Sequence, residues 1–209
     1  MKVNGFGQGK VLTSLELEQL FQWGFTNGRD LCLFSICLHT GCRISEALAL
    51  TVKDIRKGQI TLRKNITKGK KQTRCIPIND KLKAIIDAYL QEYKPKTYLF
   101  PGHHNARTQA HLTRSAADLI LKQACTRIGV EGVSTHSFRR TALTQMHNAG
   151  VPLKVIQKIS GHSSLSTLQH YLEVSDEDVK EAVNIIGSKN PKPFSHIPEK
   201  EDYSDIVPF

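Results

Sequence analysis

Apolar residues follow two different spacings in this chain, and the point where one gives way to the other constrains the fold most. Upstream of residue 50 the spacing is helical. Thr13 with Glu16 three residues on resembles a capping box, and Leu15, Leu17, Leu20 and Phe21 then predict an amphipathic helix over about 14–23, ended by Gly24. The nearly continuous apolar run at 29–40 (Leu31, Leu33, Phe34, Ile36, Leu38) predicts a buried helix closed by Gly41. Arg43 opens a third helix, through Leu50. The spacing then becomes alternating, in Gln59-Ile60-Thr61-Leu62-Arg63 and in Thr73-Arg74-Cys75-Ile76-Pro77-Ile78, with Lys68-Gly69-Lys70 between them as a turn. Helical spacing returns at about 79–93, 112–128, 137–149, 152–160, 164–172 and 175–187, Pro152 suiting an early helix position after Gly150. A mostly helical protein carrying one small antiparallel sheet with a basic tip is therefore expected.

At 209 residues the chain can bury one proper core, so a single globular unit through residue 187 is expected. Residues 188–209 hold four prolines and mixed charge and read as an extended tail. No apolar run approaches the roughly 20 residues that span a bilayer, so no membrane partner is expected. No apolar stretch follows the first residues, which makes the cytoplasm the expected location. Five cysteines at 32, 37, 42, 75 and 125 form no C-x-x-C pair. Steps of five turn Cys32, Cys37 and Cys42 off a common helix face, so buried free thiols are expected rather than a metal site.

The net charge of +10 is unevenly spread. Between Lys53 and Arg74 nine basic residues (Lys53, Arg56, Lys57, Arg63, Lys64, Lys68, Lys70, Lys71, Arg74) face one acid, Asp54. The tail has three lysines against four acids, so residues 1–187 carry +11. A charge run alone is ordinarily a solvated surface. Beside the residues described next it reads as a seat for a polyanion, where Lys53, Arg63, Lys64, Lys70, Lys71 and Arg74 would neutralise phosphates and release counterions.

His136 and Arg139 lie three apart at a helix start, on one face, where a helix N-terminus also favours phosphate; Arg140, about 100° away, would be the alternative phosphate contact and is expected to bind DNA. Arg43 opens a helix directly after Gly41 and can pair with Glu46 at i+3. Lys68, at the sheet tip, has the mobility and tunable acidity of a general acid. His162 follows Gly161 in a turn between helices. Tyr171 is a phenol with an ordinary pKa of about 10, so attack on phosphorus needs arginines to stabilise the phenolate. Each residue has an ordinary structural reading by itself. Together they supply a nucleophile, two guanidiniums for phosphate oxygens and imidazoles for proton traffic.

The stretches Thr40-Gly41-Cys42-Arg43-Ile44-Ser45-Glu46-Ala47-Leu48, Thr67-Lys68-Gly69 before Arg74-Cys75-Ile76-Pro77, His136-Ser137-Phe138-Arg139-Arg140-Thr141, and Ser160-Gly161-His162 followed by Tyr171 resemble the tyrosine recombinases, or phage integrases, over roughly residues 11–186. The resemblance implies the integrase catalytic-domain fold, mainly α with a small three-stranded antiparallel sheet (α+β). It implies site-specific recombination of double-stranded DNA without metal, cofactor or ATP. Tyr171 would attack the scissile phosphate to give a 3′-phosphotyrosine and a free 5′-hydroxyl, with Arg43 and Arg139 on the non-bridging oxygens. Lys68 would protonate the leaving oxygen, His136 assist proton transfer and His162 hydrogen-bond the phosphate. A homotetramer on synapsed DNA, a monomer when free, and accessory DNA-bending proteins are the implied assemblies.

Longer members of that family carry an N-terminal helical domain that completes a clamp on DNA, and about a dozen residues precede the first helix here. The chain thus resembles a stand-alone catalytic domain or a piece of a longer protein. In the family such a tail often docks on a neighbouring protomer, and Phe194, Ile197, Ile206, Val207 and Phe209 would be its apolar anchors. Two rival readings differ in what they do to DNA. A type IB topoisomerase would relax it by swivelling without joining two sites, and an accessory protein with idle catalytic residues would only bind it.

Overall fold

The computed structural model describes residues 9–67, 72–102, 110–169, 179–180 and 183–184. Helix α1, Ser14–Gln19, starts at the expected reciprocal cap: Glu16 N donates to Thr13 Oγ1 at 3.2 Å, and Thr13 N donates to Glu16 Oε2 at 3.0 Å. It does not run on unchanged to residue 23. Leu20–Gly24 form one turn of π-helix, closed by Phe25 N donating to the Leu20 carbonyl five residues back. The orphaned Gly24 carbonyl accepts from Arg127 Nη1 at 2.6 Å.

Helix α2, Gly28–Thr40, is capped by Asn27 and buries most of its length, as its apolar run requires. The short α3, Ile44–Leu48, follows, then a single 3₁₀ turn at Val52–Asp54. The sheet is an antiparallel meander β1-β2-β3 of Ile55–Arg56, Gln59–Leu62 and Arg74–Pro77. Its register pairs Ile60 with Ile76 and Leu62 with Arg74, so those four side chains share the inner face. Helices α4, Asp80–Tyr93, and α5, Arg114–Ile128, are each N-capped by a side chain, Asn79 and Thr113. Helix α6 spans Thr135–Asn148, α7 Leu153–Ser160 and α8 Leu165–Gln169. The expected helix over 175–187 is helical at its four described residues, and the 188–209 tail lies outside the described residues.

The chain divides into two compact units, Met1–Thr141 and Ala142–Phe209. The second unit has its own apolar centre, where Leu143, Ile156 and Leu168 are fully buried and Met146, Val151, Leu153 and Leu165 pack around them. In the first unit an aromatic chain joins the π turn, α2 and the start of α6. Phe25 stacks on Phe34 at 4.9 Å, Phe34 meets Phe138 at 4.9 Å, and Phe21 meets the Phe138 ring edge-on at 6.1 Å. Leu12 N adds a bond to Thr141 Oγ1 at 2.8 Å, tying the N-terminal segment to α6. No described helix is long and apolar enough to cross a membrane.

The thiols follow the expectation with one exception. Cys32, Cys37, Cys42 and Cys125 are buried and unbridged, and Cys75 is exposed because strand alternation turns it away from Arg74 and Ile76.

Candidate active site

In the first unit the site begins at the end of α2. Gly41 ends that helix with φ 59 and ψ 19, a left-handed conformation that favours glycine, and the chain turns at once into Cys42-Arg43. Arg43 is the extended N-cap residue of α3. Glu46, at the third helical position, reaches back to it: Oε2 accepts from Arg43 N at 2.9 Å and Oε1 accepts from Arg43 Nη1 at 3.1 Å. This is half of a capping box, since arginine has no acceptor to offer in return. The Glu46 carboxylate is wholly enclosed, whereas 21% of the Arg43 side chain is exposed.

The second arginine motif arrives on α6. Ser137 N donates to the Ser134 carbonyl at 2.8 Å while Ser134 N donates to Ser137 Oγ at 3.0 Å, which fixes the helix start. His136 is exposed there. Arg139, one turn on, is among the largest fully buried side chains and is 1% exposed. Its Nη1 donates to the Gly41 carbonyl at 2.6 Å, across 98 residues of sequence. The two arginine motifs are therefore joined by a charge-assisted bond onto the turn that carries Arg43. Arg140 departs from Arg139 as a 100° step demands, and its Nη1 donates to the Gly9 carbonyl at 3.0 Å. One Arg140 N–H thus anchors the N-terminal segment.

In the second unit, α7 ends at Gly161 with φ 68, and the left-handed turn delivers His162. That ring is 6% exposed, with Nδ1 2.8 Å from Ser160 Oγ, and its backbone carbonyl accepts from Gln157 Nε2 at 3.2 Å. Helix α8 follows, anchored by the buried Leu168. Lys68, Lys70, Lys71 and Tyr171 lie outside the described residues.

The basic run is not one surface. The meander places the Lys57-Gly58 turn at one end of the sheet and the 63–73 connection at the other, so Arg56 and Lys57 are separated from Arg63 and Lys64 by the length of β2. Lys53 and Lys64 are exposed, as a phosphate contact requires. Arg63 is half engaged within the protein: Nε lies 2.9 Å from Asp54 Oδ1, and Nη2 donates to the Ala49 carbonyl at 3.2 Å. Arg74 is not at the surface. It stands on the inner face of β3, its side chain 6% exposed, with Nη2 donating to Glu46 Oε2 at 3.0 Å. A buried, ion-paired guanidinium cannot be the exposed phosphate contact expected of it. What motif reading missed is the link between them: Glu46 was seen only as a local partner of Arg43, and Arg74 only as a contact for DNA, whereas one carboxylate holds both guanidiniums. The R-x-x-E spacing signalled only a local helix pair, although the parity of Arg74 with Ile76 already pointed inward.

The model of the phage integrase family matches residues 10–178. Tyrosine recombinase XerC of Caldanaerobacter subterraneus subsp. tengcongensis is 34% identical over 171 residues, covering 78% of this chain and 45% of its own. The chain spans about half the length of the first curated relatives it matches, 58% and 45%. Among solved structures, XerA recombinase superposes with a TM-score of 0.72 at 19% identity, covering 90% of this chain and 67% of its own. The pre-cleavage complex of XerH site-specific recombinase bound to difH substrate gives a TM-score of 0.67 at 22% identity, covering 88% of this chain and 57% of its own.

Proposed function

The chain belongs to the phage integrase family, and on that premise we propose that it is a tyrosine recombinase, which cuts and rejoins double-stranded DNA at specific sites through a 3′-phosphotyrosine intermediate. The observation that carries the reading is the Arg139 bond to the Gly41 carbonyl, because it gathers two sequence-distant guanidiniums around one turn. Two buried or half-buried cations held by a single enclosed carboxylate and one carbonyl form a cradle of net positive charge. That is what a phosphorane-like transition state, with negative charge on its equatorial oxygens, requires.

The chemistry balances without an external energy source. The Tyr171 phenol loses its proton as its oxygen bonds to phosphorus, with His136 assisting that transfer. The bond from phosphorus to the 5′-oxygen breaks, and Lys68 gives the leaving alkoxide a proton. The new phosphodiester keeps the energy of the old one, so the 5′-hydroxyl of a partner strand can reverse the step. Arg43, partly exposed, contacts the phosphate, and Arg139 adds short-range charge while fixing the Arg43 turn. His162, its ring oriented by Ser160, donates to a phosphate oxygen. Lys53 and Lys64 contribute salt-sensitive contacts to the DNA backbone. Action on paired DNA sites in a tetramer, a C-terminal segment docking on a neighbour, and a cytoplasmic setting complete the proposal.

The test incubates the protein in chelator with a randomised pool of nicked duplexes that trap the covalent stage, and resolves adducts on denaturing gels. The wild type should form a DNA adduct that Tyr171→Phe does not form, with DNA binding retained. An adduct that persists in Tyr171→Phe removes the nucleophile assignment. Binding without any adduct in the wild type supports the accessory-protein reading instead.

A further inference from the structure

The Arg74 guanidinium, read from sequence as one more basic residue facing DNA, occupies a place where it can do something more specific. It is the first residue of β3, at the base of the 63–73 connection and six residues beyond Lys68. Three donors converge on the Glu46 carboxylate. Arg43 supplies its N-cap N–H and one guanidinium N–H, and Arg74 supplies Nη2 to the oxygen that also holds the Arg43 backbone. Arg74 Nε is buried with no hydrogen-bond partner. Leaving a buried donor unmatched is unfavourable, and a leucine at this inward strand position, beside Ile76 and across from Leu62, would pack without that penalty. What the arginine provides is a fixed cation behind the carboxylate.

We propose that Arg74 is a positioning residue for Arg43, acting through Glu46, so that the guanidinium of Arg43 is preset for a phosphate oxygen and is tied to the strand that follows the Lys68 connection. This rests on the reading of Arg43 as a phosphate-binding residue. With Arg74 in place, Glu46 is held from both sides: it cannot turn away from α3, and the Arg43 side chain inherits that orientation. Without it, one carboxylate oxygen loses its outer partner, and Arg43 gains rotational freedom at the moment when the transition state needs it still. A misplacement on the order of 1 Å in such a group can reduce a rate about a hundred-fold.

The experiment measures the single-turnover rate of adduct formation by the full chain for wild type, Arg74→Met, Arg74→Lys, Arg43→Ala and Arg43→Ala/Arg74→Met. Each is assayed on a phosphodiester and on a methylphosphonate in which one non-bridging oxygen is replaced by an uncharged methyl group. Urea midpoints and DNA affinity are measured in parallel. Arg74→Met should slow the phosphodiester reaction about a hundred-fold with DNA affinity within two-fold of wild type. The deficit should shrink on the methylphosphonate, as it should for Arg43→Ala, because the charge that Arg43 answers is gone. The double variant should be no slower than Arg43→Ala, and Arg74→Lys should recover part of the rate. If Arg74→Met does not fold, Arg74→Lys carries the same comparison between substrates.

Equal deficits on both substrates, additivity with Arg43→Ala, or a full rate in Arg74→Met would overturn the proposal. So would a loss confined to DNA affinity with a shallower salt dependence, which would make Arg74 a DNA contact. A wild type that forms no adduct sinks the functional reading instead, so the two failures are distinguishable.

Discussion

Replacing Glu46 isolates the electrostatic centre of the first unit. The carboxylate is fully enclosed and accepts three hydrogen bonds, from Arg43 N at 2.9 Å, Arg43 Nη1 at 3.1 Å and Arg74 Nη2 at 3.0 Å. Glu46→Gln preserves volume and can keep two of them, since one amide oxygen can take over the position of Oε2. Its amide nitrogen then faces Arg43 Nη1, donor against donor. Arg43 is 21% exposed and recovers part of the loss through water, so the expected destabilisation is about 2 kcal/mol, in the range of one hydrogen bond to a charged group. Glu46→Leu removes all three bonds and leaves two guanidiniums without their anion, one of them almost wholly buried, which should cost about 4 kcal/mol. Urea unfolding followed by far-ultraviolet circular dichroism gives both values. Adding Arg74→Leu to Glu46→Leu should restore part of the stability, because the stranded buried charge is then gone. A Glu46→Leu protein as stable as wild type, or a double variant less stable than the single one, would refute the argument.

Four further outcomes are expected. Burial, with the charge of Lys81, holds the His39 imidazole down to about 4, and Asn79 Nδ2 lies 3.0 Å from its Nδ1. The unfolded state then binds the extra proton first, so stability should fall by roughly 3 kcal/mol as pH drops from about 6.5 to about 4, and the urea midpoint of His39→Gln should lack that component. Leu168→Ala, in the small second core, should cost about 3 kcal/mol and raise tryptic cleavage after Lys154 and Lys158 about a hundred-fold, leaving cleavage within residues 9–141 unchanged; uniform sensitivity would contradict a separate core. Lys68→Ala should slow adduct formation on ordinary DNA and recover on a 5′-thio leaving group, and absence of recovery removes the general-acid role. Lys53→Ala and Lys64→Ala should each lower the slope of log affinity against log salt by about 1; an unchanged slope places those residues off the DNA.

Helices α2, α4 and α5 were legible from their apolar spacing, a buried run closed by Gly41 and two amphipathic stripes, while the caps Asn79 and Thr113 came from the structure. The π turn at Leu20–Gly24 was not, since apolar spacing over one turn is the same for both helix types and only the bond from Phe25 N to Leu20 distinguishes them. β1 has two residues, too few to display an alternation, and exists through its pairing with β2. Within the site, Arg43, His136 and Arg139 stood out by residue type and neighbourhood. Whether a cation faces water or a buried carboxylate depends on strand parity and on which helix lies beneath, so Arg74 was hidden inside a run of lysines and Glu46 behind an i+3 pairing. The same parity turned Cys75 outward.

Covalent attachment of one tyrosine to DNA is tested most directly by peptide mapping of the trapped adduct. After nuclease trimming and protease digestion, mass spectrometry should find the nucleotide remnant on the peptide containing Tyr171, joined through a 3′-phosphate. The remnant on Tyr89, Tyr93, Tyr98 or Tyr203, on a serine, or joined through a 5′-phosphate would contradict the account.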